Sequence, residues 1–145
     1  RAAPRPRRRR SVGAALMRWI VDGNNVFGSR PDGWWNDRAA AQRRLAQRVA
    51  EWSRGHDDLV TLVYDAPLAP ETAHLAGGNL TIVASRRRGR DAADHEIVNL
   101  LDELDELERA VDEVTVVTSD RGLRDRLPDG VRIWGTGRFR SLIGY

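Results

Sequence analysis

Three short apolar runs in this chain each lead into an aspartate: Arg18-Trp19-Ile20-Val21-Asp22, Leu59-Val60-Thr61-Leu62-Val63-Tyr64-Asp65 and Val114-Thr115-Val116-Val117-Thr118-Ser119-Asp120. Runs this short, ended abruptly by Gly, Asn, Pro or Ser, read as buried strands rather than helices. Open α/β folds place their ligands at the carboxyl edge of the sheet, so an acid at a strand's end is a candidate for chemistry. Taken alone, Asp22-Gly23-Asn24-Asn25 is equally a turn, because these residues tolerate left-handed conformations. The second strand–Asp unit near the far end of the chain shifts the balance towards a site.

Further strands are expected at residues 80–84 and 131–134, with the first three at 17–21, 59–64 and 114–117. Helices are expected at 37–53, 91–111 and 122–127. Leu45, Val49 and Trp52 give the first helix an apolar stripe, and Ile97, Leu100, Leu101, Leu104 and Leu107 give the second one. Strands alternating with helices indicate a parallel sheet with right-handed crossovers. The expected architecture is α/β, three-layered and Rossmann-like, with about five mostly parallel strands in the order 3-2-1-4-5 and helices on both faces. Residues 23–36 and 135–145 read as loops. The first loop carries Trp34 and Trp35, which either stack on bases or cap a core edge, the second being favoured.

A length of 145 residues suits one domain with a real core. The absence of cysteine excludes disulfides and thiolate metal sites. No apolar run approaches the roughly 18 residues a membrane span needs, and the expected compartment is the cytoplasm. The net charge of +3 misleads: residues 1–16 hold six arginines and no acid, so 17–145 carries 18 arginines against 21 acids, a net −3. Every basic group is arginine, which favours bidentate phosphate contacts, although a compositional bias of the source gives the same usage. Residues 1–16 lack periodicity and are expected to be disordered, either an arginine-rich nucleic-acid tether or without function. Met17, the only methionine, directly precedes the first strand. It is the expected true start of a domain at 17–145, and mass spectrometry of the native N-terminus would test this.

Asp91 and Asp94 open the second long helix on one face, although acids at helix starts, Asp37 among them, are commonly caps. In the 3-2-1-4-5 order strands one and four adjoin at the switch point, so Asp22 and Asp120 face each other and Asp65 flanks them. The helix starting beside that edge brings in Asp91 and Asp94. Carboxylates this close demand protonation or a cation. Oxygen donors without Cys or paired His select Mg²⁺ or Mn²⁺ over Zn²⁺, and such an ion in an acidic crevice suits phosphoryl chemistry. Phosphate-binding glycine loops and serine-nucleophile elbows are missing, and His56, His74 and His95 are scattered. Asp125 is either an extra acid or a partner for Arg121 or Arg124. The cluster Arg86, Arg87, Arg88 and Arg90 either holds backbone phosphates or forms an exposed basic loop, the first being favoured.

In their order, Ile20-Val21-Asp22-Gly23-Asn24-Asn25, Val63-Tyr64-Asp65, Arg88-Gly89-Arg90-Asp91, Ala93-Asp94-His95-Glu96-Ile97 and Thr118-Ser119-Asp120 resemble the PIN-like NYN domain ribonucleases, most closely the small YacP-like group. The resemblance spans about residues 17–134. It implies a PIN-like fold and a metal-dependent nuclease that hydrolyses RNA phosphodiesters, with Asp22, Asp94 and Asp120 as metal-binding acids. Asp91 would be a fourth acid or a neighbour, Asn25 would orient Asp22 or the substrate phosphate, and Ser119 would support the site. One departure stands out: PIN relatives often carry a Glu on an early helix, and here that helix offers only Glu51, near its end.

The expected function is therefore a single-domain endoribonuclease using Mg²⁺ or Mn²⁺, with RNA as partner and no membrane association. A homodimer and an RNA-processing or ribosome-associated partner are left open. The alternative is a PIN-like RNA-binding module without hydrolytic activity. A haloacid-type phosphatase would need Asp-x-Asp at strand one, which Asp22-Gly23-Asn24 does not supply.

Overall fold

The computed structural model describes residues 16–86, 92–104 and 112–145. Five strands form one sheet: β1 (Leu16–Asp22), β2 (Leu59–Tyr64), β3 (Leu80–Ala84), β4 (Asp112–Val117) and β5 (Arg132–Trp134). Their order is β3-β2-β1-β4-β5 and every pairing is parallel, as the strand–helix alternation requires. The register places Asp22 opposite Val63 on one side, while Val21 pairs with Val117 on the other. The last residue of β1 therefore emerges beside the ends of both neighbours.

Alternation along each strand fills two cores. Trp19, Val21, Val60, Leu62, Tyr64 and Val117 point into one, and Ile20, Val63, Val114 and Val116 into the other. A strand buried on both faces is mostly apolar, which is why Trp19–Val21 of β1 and, Thr115 apart, Val114–Val117 of β4 lack the polar alternation of a surface strand. Covering the first face are α1 (Gly23–Gly28), α2 (Arg38–Ser53) and α6 (Thr136–Ile143). The second face is covered by α4 (Ala92–Glu103) and α5 (Arg121–Asp125), through Ala93, Ile97, Leu101 and Leu123. A short α3 (Pro70–Ala73) follows β2. Helix α2 starts where Asp37 accepts the Ala40 N–H at 3.0 Å, and it buries Ala41, Leu45, Ala46 and Val49. On the first face Trp19 meets Trp52 and Trp134 edge-on, at 5.3 and 5.0 Å between centroids.

Two expected loops are helices. Residues 23–28 form α1 because Val26 and Phe27 bury completely, although Gly and Asn are poor helix formers. Residues 136–143 form α6, whose Phe139 and Ile143, four apart, dock on the first core while Gly144 ends the helix at φ 74°. Helix α5 starts one residue early, at Arg121. The tryptophan pair divides: Trp34 packs on Phe27 at 5.8 Å, whereas Trp35, in the same single 3₁₀ turn, is 58% exposed. The expectations for residues 1–15, for Arg87, Arg88, Arg90 and Asp91, and for the helix beyond residue 104 fall outside the described residues.

Candidate functional site

Asp22 closes β1 and is 4% exposed. The chain turns directly into α1, and this needs glycine next. A Cβ on Gly23 would lie 2.5 Å from the Tyr64 ring and 2.9 Å from the Val63 carbonyl oxygen. The next two residues then fasten the end of β1 to both neighbouring strands. Asn24 Oδ1 accepts the Asp65 N–H beyond β2 at 2.8 Å, and Asn25 Oδ1 accepts the Ser119 N–H beyond β4 at 2.7 Å. Asp-Gly-Asn-Asn is thus a buried carboxylate followed by a clamp across three strands.

Thr118 completes the clamp. Its hydroxyl donates to Asp22 Oδ2 at 2.9 Å and accepts the Asp120 N–H at 3.1 Å. Ser119 Oγ accepts the Thr136 N–H at 2.9 Å and lies 3.0 Å from Thr136 Oγ1, which fixes the start of α6. The Asn25 side chain thus holds the chain beyond β4, and Ser119 holds the start of α6. Asn24, Thr118 and Thr136 share that task and were not singled out from sequence. The tandem amides and the hydroxyl pair Thr118-Ser119 before Asp120 were the available signals.

The acids fall into three groups. Asp22 and Asp94 are both buried, Asp94 in the first turn of α4 at 9% exposure. Burial pushes the Asp22 carboxyl up from 3.8 to about 7, and the negative charges of Asp94 and Asp65 push in the same direction. The Thr118 hydroxyl and the Asn25 backbone N–H oppose that rise without cancelling it. Asp65 and Asp120 are engaged differently. Asp65 Oδ1 accepts the Ala93 N–H at 2.8 Å and so caps α4 from another strand, while Asp120 Oδ1 accepts the Leu123 N–H at 3.0 Å and caps α5. Asp120 reaches Asp22 through Thr118 rather than by facing it alone. Asp125 is exposed on α5.

One further buried acid, Glu96, was passed over in the sequence. It is 7% exposed and accepts from Arg86 Nε at 3.2 Å, and Arg86 also reaches Glu103 at 3.4 Å. Among the described residues no three His, Asp or Glu side chains converge as a metal-binding group. Asp91, Arg88 and Arg90 lie outside those residues. The same edge of the sheet therefore gathers one buried carboxyl with a raised pKa, a second buried acid beside it and two capping acids. Among the described residues no helix is long and apolar enough to cross a membrane.

Comparison with known proteins places this arrangement. The family profile of the YacP-like NYN domain matches residues 19–127, which include Asp22, Asp65, Asp94 and Asp120. The crystal structure of Rae1 (YacP) from Bacillus subtilis superposes with a TM-score of 0.66 at 18% identity, over 90% of this chain and 74% of that one. The T5 D15 protein, co-crystallised with metal ions, superposes with a TM-score of 0.54 at 12% identity, over 84% of this chain and 55% of that one. At these identities the two structures speak for the fold. A comparison with curated protein sequences finds no match. With its profile match covering most of the chain, the chain belongs to the YacP-like NYN domain family, whose members are in general ribonucleases.

Proposed function

We propose that this chain is a metal-dependent endoribonuclease that hydrolyses RNA phosphodiesters at the Asp22–Asp94 edge. The observation that carries the reading is Asp22 itself. A carboxylate held at 4% exposure beside two further acids, with its pKa raised to about 7, is costly unless a cation or a proton shares it. Shifts of this kind gather at functional sites.

The donors are all carboxylate oxygens, which suits Mg²⁺ or Mn²⁺. Asp22 and Asp94 would hold the ion, with Asp120 and Asp91 supplying further oxygens. When bound, such an ion supplies charge neutralisation and makes water a better nucleophile near neutral pH. The residues of the chain do the positioning. Thr118 and the Asn25 N–H fix the Asp22 carboxylate, Asn24 and Asn25 hold its strand end against β2 and β4, and Asp65 fixes the first turn of α4 that carries Asp94. In-line attack of water at phosphorus, with the 3′-oxygen leaving, gives products with a 5′-phosphate and a 3′-hydroxyl. That the T5 D15 fold was crystallised with metal ions is in keeping with this reading.

One observation favours a second reading, an RNA-binding module without hydrolysis. Asp65 and Asp120 are both engaged as helix caps. Incubating the protein with labelled single-stranded and structured RNA in Mn²⁺, Mg²⁺ or EDTA separates the two. The nuclease reading expects cleavage that EDTA and Asp22→Asn each abolish. RNA that is bound but intact in every metal would give the second reading precedence.

A further inference from the structure

We propose that Trp35, Arg38 and Arg43 form a docking platform for a single-stranded stretch of RNA, beside the acidic centre and on the same edge of the sheet. The proposal rests on the RNA-directed reading above and adds where the substrate lies.

Placement comes first. Strands β1 and β2 are parallel, so the connecting α2 runs against them and begins at their carboxyl edge. The contacts agree: Tyr64, the last residue of β2, donates its hydroxyl to the Gln42 carbonyl at 2.7 Å, and Gln42 Nε2 reaches the Pro67 carbonyl at 3.4 Å. The 3₁₀ turn bearing Trp35 immediately precedes α2 and packs through Trp34 on Phe27 of α1, the helix that starts at Asp22. That helix has six residues and so spans about 9 Å, within reach of a few nucleotides.

Charge comes second. Residues 30–48 carry five arginines against two aspartates, a net +3, while the rest of 17–145 sums to −6. Three of the five are compensated: Arg30 and Arg44 lie 3.6 and 3.9 Å from Asp32, and Arg48 lies 2.9 Å from Glu51. Among the described residues Arg38 and Arg43 have no ion-pair partner, and both are exposed. Arg38 instead sits 5.5 Å from the centroid of the Trp34 ring, and Arg43 lines a shallow cavity of about 230 Å³ with Asp37, Glu71 and Thr72. The Asp37 carboxylate there is already engaged by Ala40 N–H.

Chemistry comes third. Trp35 meets Trp34 edge-on at 5.8 Å, which steadies its ring while leaving it 58% exposed. An exposed, braced indole, with Arg38 over the adjoining Trp34 and the exposed Arg43 further along α2, is what an unpaired base and its flanking phosphates recognise. A duplex keeps its bases stacked inward and offers no face to such a ring.

The test is the affinity of the full chain for fluorescein-labelled oligo(U) RNA in EDTA, where cleavage does not interfere, measured against ionic strength. Trp35→Ala should weaken binding about five- to hundredfold and Trp35→Phe should restore most of it. The double variant Arg38→Gln/Arg43→Gln should lower the slope of log affinity against log salt by about 1.4. Both keep the arginines of residues 1–16, so that background is common to all. Unchanged affinity in Trp35→Ala, or no RNA binding by the wild type, overturns the proposal. So does a shift from dimer to monomer on gel filtration at unchanged RNA affinity, which would assign the patch to a second copy of the chain. Trp35-dependent binding without metal-dependent cleavage removes the nuclease reading and leaves the platform, and cleavage with Trp35-independent binding does the reverse.

Discussion

Asp22→Asn should stabilise the metal-free protein at pH 8 and do progressively less as the pH falls. The folded pKa of Asp22, about 7, stands above its ordinary 3.8 because burial and the charges of Asp94 and Asp65 disfavour the ionised form. The folded state therefore holds a proton between about pH 4 and 7 that the unfolded chain has already lost. Stability then falls as pH rises, fully retained below the unfolded value and lost through the folded one. Every tenfold difference in proton affinity between the two states corresponds to about 1.4 kcal/mol, so the whole window is worth ~4 kcal/mol. Asparagine is nearly isosteric and never ionises, but one of its amide groups must face Thr118 or the Asn25 N–H less favourably, at about 1 kcal/mol. Urea denaturation in EDTA should give Asp22→Asn an advantage of about 3 kcal/mol at pH 8, shrinking by ~2–3 kcal/mol at pH 5. A gap between the two proteins that is the same at pH 5 and pH 8 would refute the reasoning. Asp22 would then be neither strained by burial nor in need of a cation.

Three further outcomes follow from the same geometry. Mn²⁺ should raise the melting temperature of the wild type far more than that of Asp22→Asn, and its apparent affinity by calorimetry should fall about tenfold per pH unit below pH 7, as a proton competes for Asp22. Thr118→Val should remove a hydrogen bond to the ionised form and push the Asp22 transition to higher pH, read as a shifted midpoint in the pH–stability curve. Gly23→Ala should cost about 3 kcal/mol in urea denaturation or prevent folding, because its methyl meets the Tyr64 ring and the Val63 carbonyl of β2.

The sheet was legible because its signals are local. Apolar runs of strand length, each ended by Asp-Gly, Asp-Ala-Pro or Ser-Asp, give β1, β2 and β4, and the stripe of Leu45 and Val49 behind the cap at Asp37 gives α2. Helix α1 was not legible. Gly23, Asn24 and Asn25 argue locally for a turn, and the burial of Val26 and Phe27 together with amide partners 41 and 94 residues away holds them in a helix. Helix α6 was hidden by Gly135, Gly137 and Gly144, although Phe139 and Ile143 have helical spacing and Gly144 is a natural terminator. The candidate site divides in the same way. That Asp22, Asp65, Asp94 and Asp120 share one edge follows from topology. That Asp65 turns its oxygen to Ala93 while Asp22 remains a strained, buried acid depends on side-chain directions no spacing encodes.

Asp120 is where the two functional readings separate most cleanly. One of its oxygens caps α5 on the Leu123 N–H, and its backbone N–H is tied to Thr118, so it sits beside Asp22 while serving the fold. The charges that raise Asp22 belong to Asp94 and Asp65, and any part Asp120 plays in holding an ion would fall to its remaining oxygen. Serine is as good an N-cap as aspartate but carries no charge, whereas alanine provides neither function. Asp120→Ser should therefore stay within about 0.5 kcal/mol of the wild type, while Asp120→Ala loses about 1 kcal/mol. If Asp120 helps to hold the ion, both variants lose Mn²⁺-dependent cleavage by at least about tenfold, the serine variant at undiminished stability. Cleavage by Asp120→Ser at the wild-type rate would confine Asp120 to its cap, and an ion at this edge would then have to be held without it.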